Sequence, residues 1–169
     1  MKFIKLALFS IISLFLLISL IGLLFPSQVT VIRGVTINVP RDSVYPMLDN
    51  INQWPKWLFD STQDVKLLSL NSKGKGASVQ VGHSKITVTH DSAYYIESSW
   101  QSTRSNPQIC GWNLTPDQHN PGTHLEWSYT QHLDWYPWER VGAVLNEKIL
   151  GPSMDSSLAR LKNRLEQAE

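Results

Sequence analysis

The residues that could do chemistry in this chain are few and scattered. Its histidines are His83, His90, His119, His124 and His132. No two of them sit four apart on a helix or beside cysteines at metal-ligand spacing, so they read as solvated side chains, and no metal site is expected. His124 falls opposite Leu125 on its strand and points outward. There is no Gly-x-Ser-x-Gly elbow for a nucleophilic serine, and Gly82-His83-Ser84 reads as a hairpin turn. Gly74-Lys75-Gly76 is also a turn, because no helix follows it to receive a phosphate. The single cysteine, Cys110, allows neither a disulfide framework nor a cysteine zinc site, and nothing adjacent would lower its pKa. Acid–base candidates are His90, Glu97, Arg104 and Glu126. Strand alternation turns Glu97 and Glu126 away from the apolar face. Arg104 lies at a strand end, where a cation at a cavity mouth would hold a ligand carboxylate. No cofactor motif appears.

Aromatic residues are the stronger signal. All seven tryptophans lie between positions 54 and 138. Alternate residues of a strand share a face. This groups Ile96, Ser98 and Trp100; then Cys110, Trp112 and Leu114; then Leu125, Trp127 and Tyr129. These faces point inward, where they either fill a core or line a pocket for an apolar ligand. Trp54 and Trp57 on a short helix, with Val144 and Leu145 on a long one, join them as candidate cavity residues. Trp135, Tyr136 and Trp138 form a separate cluster at a strand-to-helix corner. That cluster, or the Trp54–Trp57 helix, would suit the membrane interface, although ordinary packing explains it as well.

The elements that must position these residues can be read from charge and periodicity. The chain has 169 residues and a net charge of +1, but every acidic residue lies at or beyond Asp42. Residues 28–169 carry 13 basic and 14 acidic groups, with no basic patch to hold a phosphate backbone, so nucleic-acid binding is disfavoured. Residues 6–25 hold no charge and include eight Leu, four Ile and three Phe. As a helix this run rises about 30 Å, the thickness of a bilayer's hydrocarbon core. A cleaved signal peptide would have a shorter apolar stretch and a small-residue cleavage site, whereas this run ends Leu23-Leu24-Phe25-Pro26. The expectation is therefore an uncleaved anchor and linker over 1–27. Lys2 and Lys5 place its N-terminus in the cytoplasm and residues 28–169 outside.

Beyond the linker, Val29–Val39 alternates as a first strand. Pro40-Arg41-Asp42-Ser43 starts a helix, with Asp42 or Ser43 as its cap and Pro46 in its first turn. Six short strands follow, over 65–70, 77–82, 85–91, 94–102, 108–115 and 123–133, joined by turn residues into an antiparallel meander. From Pro137 apolar residues recur every three or four positions, as on a long amphipathic helix, with a kink at Gly151-Pro152. Asn113-Leu114-Thr115 fits a glycosylation pattern that matters only in a eukaryotic secretory pathway.

In this order the chain resembles the SRPBCC superfamily, near its polyketide cyclase/dehydratase-like and START-like helix-grip members. The resemblance rests on Phe25-Pro26-Ser27, Val29-Thr30-Val31-Ile32-Arg33, Ile37-Asn38-Val39-Pro40, Val44-Tyr45, Leu48-Asp49, Trp54 and Trp57. It continues through Gly74-x-Gly76, Gly122-Thr123 with Trp127, and Gly151-Pro152 with Leu158 and Leu161-Lys162. It implies an α+β fold, β-α-α-β6-α, with a curved antiparallel sheet around the C-terminal helix and a hydrophobic cavity between them. Such folds bind lipids, sterols and polyketides, and some catalyse cyclisation or dehydration. The expected function is binding of an apolar small molecule or lipid by a domain tethered to the membrane through residues 6–25. The alternatives are a cyclase/dehydratase-like enzyme, or an interaction domain whose cavity its own tryptophans fill.

Overall fold

A computed structural model of the chain describes residues 2–23, 26–59, 63–102, 105–117, 122–134, 136, 139 and 146–167. It opens with helix α1, Lys2–Leu23. Within it Phe3–Leu20 has a mean hydropathy of 2.5 and is nowhere buried against the rest of the chain. This helix is long and apolar enough to cross a membrane, a test that a signal sequence also passes.

The first strand, β1 (Gln28–Ile37), leads into helix α2 (Arg41–Asp49) and a 3-10 turn at Trp54–Lys56. Six strands follow: β2 (Val65–Leu67), β3 (Ser78–Val81), β4 (Ser84–Asp91), β5 (Tyr95–Ser102), β6 (Ser105–Pro116) and β7 (Thr123–His132). They form one antiparallel sheet in the order β1-β7-β6-β5-β4-β3-β2. Helix α3 (Asn146–Glu166) lies on the concave face. This is the α+β helix-grip architecture, with a seven-stranded sheet around the C-terminal helix.

Local details depart from the sequence expectation. Helix α2 starts at Arg41 with Pro40 as its N-cap and no side-chain cap, so Asp42 falls in the first turn, where its carboxylate still favours the helix dipole. Pro46 lies inside this helix rather than in its first turn. The amide it lacks is offset by burial of Val44 and Leu48 on either side. Helix α3 runs through Pro152 as one element, and Ser156 Oγ donates to the Pro152 carbonyl at 2.8 Å. The start expected for this helix at Pro137, with Val144 and Leu145, lies outside the described residues. So do Arg104, His119, Trp135 and Trp138.

Helix α3 is fastened to β1 by polar contacts. Arg33, on the inward phase of β1 between Val31 and Val35, lies against Gly151, where a Cβ would collide with its guanidinium. From there it pairs with Glu147 at 3.6 Å and Asp155 at 3.5 Å. Lys162 Nζ donates to the Thr36 carbonyl at 2.9 Å, and the Asn38 amide donates to Glu166 at 2.9 Å. The helix therefore runs alongside β1 in the same sense. At the far end of the sheet, a Cβ on Gly122 would lie 2.8 Å from the Ile37 carbonyl oxygen. Backbone on both sides leaves nothing that can swing away. Gly122→Ala is expected to cost about 1–3 kcal/mol, as overpacked sites do, read as a lower denaturation midpoint.

Candidate functional site

The concave face divides into a solid half and a hollow half. Toward the ends of β1 and β6, the space under the sheet is filled. Trp54, Trp57, Trp112, Ile37, Leu48, Ile96, Leu114 and Leu125 are each under 2 % exposed. Trp112 is the hub of this core, its ring centroid 5.4 Å from Trp54, 6.2 Å from Trp57 and 6.0 Å from Trp127. Two backbone carbonyls of α2 orient the tryptophans beneath it. Trp54 Nε1 donates to Leu48 O at 2.8 Å, and Trp57 Nε1 to Met47 O at 3.1 Å.

Toward the start of β1 the sheet and α3 diverge around a cavity of about 560 Å³. Its inner wall is apolar: Leu58, Phe59, Ile86, Trp127 and Met154 are all buried. Trp100 and Tyr129 line it from the sheet. Trp100 is held by its indole N–H on Ser98 Oγ at 2.9 Å and by the Phe59 ring at 6.0 Å. The rim is polar, with Gln63, Ser84, Ser153 and Ser156. A latch joins helix to turn along one wall. Ser157 Oγ donates to Leu58 O at 3.2 Å, and Arg160 donates from Nε to Trp57 O at 3.0 Å and from Nη2 to Ser157 Oγ at 3.0 Å. These bonds fix the separation of α3 from the 3-10 turn, and with it the width of the cavity.

Of the expected cavity residues, Trp100, Trp127 and Tyr129 therefore meet at the cavity. Trp54, Trp57, Ile96, Trp112 and Leu125 lie in the core beside it. The same alternation put both groups on the concave face, and only three-dimensional packing separates them. Arg33, Ser84, Ser157 and Arg160 escaped the sequence reading. Arg33 had a signal, since it shares the period-two phase of Val31 and Val35. Ser84 sat inside an apparent turn, and the two helix residues look like ordinary polar positions.

Two titratable groups of this region, Tyr129 and Cys110, are held in their neutral forms. Burial pushes the Tyr129 phenol well up, with the Cys110 thiol a minor contributor. Burial likewise pushes the Cys110 thiol up, away from thiolate chemistry, while the Trp127 indole pulls weakly the other way. Among the described lining residues none is a carboxylate or a histidine. His83, His90, His124 and His132 are exposed, and the described residues hold no cluster of three or more metal-ligating side chains. Glu97 sits on the convex face, where it accepts hydrogen bonds from Thr89 at 2.7 Å and Tyr95 at 3.0 Å. Tyr95 itself is pushed up to about 12, by burial first and then by that carboxylate.

A second titratable cluster joins α2 to the sheet away from the cavity. The Tyr45 hydroxyl donates to Asp91 at 2.8 Å, and the Gly74 amide donates to Asp49 at 2.8 Å. Burial raises the Asp49 pKa most, the Gly74 amide opposes it, and the Asp91 charge adds to the rise. A carboxyl whose folded pKa lies above its unfolded value binds more protons when folded. Stability is then lost as pH rises from the unfolded value, near 3.8, through the folded one. Asp49→Asn keeps an acceptor for Gly74 and removes the charge. Its denaturation midpoint is expected to equal the wild type at low pH and exceed it at neutral pH, by up to about 1 kcal/mol for so solvent-screened a pair.

Comparison with known proteins agrees with this geometry. Residues 28–166 match the family described as polyketide cyclase/dehydrase and lipid transport. No curated protein matches the chain. Among solved structures, a protein from Nitrosospira multiformis aligns with TM-score 0.64 and 15 % identity, over 83 % of this chain and 100 % of that one. DynU16, a putative protein from the dynemicin biosynthetic locus, aligns with TM-score 0.56 and 18 % identity, over 85 % of this chain and 49 % of its own. Ara h 8.0201 aligns with TM-score 0.58 and 16 % identity, over 83 % of this chain and 99 % of its own. At these identities the likenesses establish the fold. The match over 28–166, on a sheet wrapped around its last helix with a cavity between them, makes this chain a member of the polyketide cyclase/dehydrase and lipid-transport family, an SRPBCC helix-grip protein with an apolar helix ahead of its domain.

Proposed function

We propose that this protein binds a hydrophobic small molecule or lipid in the cavity between the sheet and α3, and that α1 anchors it in a membrane, uncleaved. The cavity carries the reading. At about 560 Å³, between an apolar wall and a rim of hydroxyls, it falls within the range of small-molecule sites. The tryptophan-rich core lies beside it, so the aromatic residues do not consume the space. Burying apolar ligand surface against Trp100, Trp127 and Phe59 would supply about 25 cal/mol per Å² before ordering costs. Neutral Tyr129 would serve as a hydrogen-bond donor to a ligand rather than as a base. A binder is favoured over a cyclase or dehydratase because the described lining offers no carboxylate or histidine for acid–base work. Lys2 and Lys5 support an orientation with the N-terminus in the cytoplasm and the domain outside.

The test is to capture the full chain in lipid nanodiscs and compare its organic extract, by mass spectrometry, with that of empty discs from the same cells. Enrichment of one or a few apolar species supports the proposal. An extract identical to empty discs, together with no uptake of a fluorescent fatty acid or an aromatic probe, overturns it.

A further inference from the structure

The sheet register places the cavity relative to the anchor. Val29, at the start of β1, pairs with Gln131, which pairs with Gln108. Gln108 pairs with Trp100, and Trp100 with Ile86. One row across five strands thus joins the point where the chain enters the domain to two residues of the cavity wall. Ser84, on the rim, lies two residues beyond Ile86, away from the far end of the sheet. Gln63, also on the rim, just precedes β2, whose Val65 pairs with Val81 beside Ser84. Helix α3 lines the cavity from Leu150 to Arg160, mostly with its first half, and it runs in the sense of β1, so its start faces the same end. Next to lining Leu150, the apolar side chain of Ile149 is 70 % exposed at this end. The opposite end is closed by the tryptophan core.

The connection to α1 is short. Ser27 is already tied to the domain, its carbonyl accepting from the Leu133 amide at 2.8 Å. The four steps from Leu23 to Ser27 can span at most about 14 Å. The sheet itself is about 33 Å long along β1, so its two ends lie at very different distances from the point where α1 joins the domain. From this we infer that the mouth of the cavity is apposed to the bilayer surface, and that the ligand is a membrane-partitioned amphiphile entering from the lipid phase. Its apolar part would pass first to the Phe59–Trp127–Met154 wall, and its polar end would remain at the serine rim, level with the headgroups. This inference rests on the anchored, ligand-binding reading above and adds the route and the amphiphilic class.

Depth measurements on the full chain in phosphatidylcholine/phosphatidylglycerol vesicles test it. Single cysteines for a fluorescent label are placed at the rim, Ser84→Cys and Ser153→Cys, and at the far end, Thr115→Cys. Thr115 pairs with His124, which pairs with Thr36, the last residue of β1 but one. Native Cys110 is fully buried and stays unlabelled. The expected result is that nitroxides on the lipid headgroups quench both rim labels several-fold more than the Thr115 label. Equal quenching at both ends, stronger quenching at Thr115, or quenching at neither overturns the inference. Two rim sites guard against one misfolded variant, with the thermal melt of each checked first. Orientation is read with the cavity empty or filled, so absence of a bound ligand would overturn the binding proposal while leaving these values as they are.

Discussion

Replacing Trp112 by alanine is expected to cost about 3–5 kcal/mol, a large part of the roughly 5–15 kcal/mol that holds a domain of this size together. The side chain is fully buried and packs against three other indoles at 5.4–6.2 Å. Truncation removes its contacts with all of them and opens a hole bounded by rigid rings that cannot collapse into it. Phenylalanine refines the prediction. Trp54 donates its indole N–H to Leu48 O, so Trp54→Phe leaves a buried carbonyl without that donor. Trp112 Nε1 is buried with no hydrogen-bond partner, so Trp112→Phe removes a polar atom that the fold already fails to satisfy. An unmade buried hydrogen bond is worth about 1–3 kcal/mol. Trp54→Phe should therefore lower the urea midpoint more than Trp112→Phe, although the latter indole sits at the centre of the cluster. Equal midpoints, or the reverse order, would show that packing volume rather than polar satisfaction governs this core.

The same residues show what the sequence discloses. Period-two alternation put Ile96, Trp112, Leu125 and Trp127 on the concave face because a strand has only two faces, and one of them must be dry. Turn residues marked the hairpins for a backbone reason: Gly74, Gly76 and Gly82 take φ of +73°, +90° and +56°, which side chains disfavour. Alternation cannot rank residues within a face. Whether an inward tryptophan fills the core or borders a void depends on how far the facing helix stands off, and that distance is set by contacts between remote segments. Ser157 to Leu58 spans 99 residues and Arg160 to Trp57 spans 103. Nothing local to either segment encodes the pairing. Arg33 is the intermediate case. Its phase was legible, but its role required knowing that a glycine of α3 passes over it.

The cavity gives the second large effect. Ser84 begins β4 on the concave phase, at the rim, where a larger side chain points into the mouth rather than into packed core. A tryptophan there brings about 150–250 Å² of surface into a space that a ligand would otherwise occupy. At about 25 cal/mol per Å², denying the ligand some 60 Å² of apolar burial costs it roughly tenfold in affinity. Ser84→Trp needs to displace only about a third of its own surface to reach that loss, so binding of a fluorescent fatty acid by the full chain should weaken at least about tenfold. Among the described residues the Ser84 side chain makes no hydrogen bond that the sheet requires, and the fold should keep its melting temperature. Lys85→Trp, one residue on and facing the convex side, adds the same indole to the same strand and should leave binding unchanged. The pair separates a filled cavity from a merely perturbed strand. If Ser84→Trp binds as well as the wild type, the ligand does not pass this rim; if both variants lose binding, the effect lies in β4 rather than in the mouth.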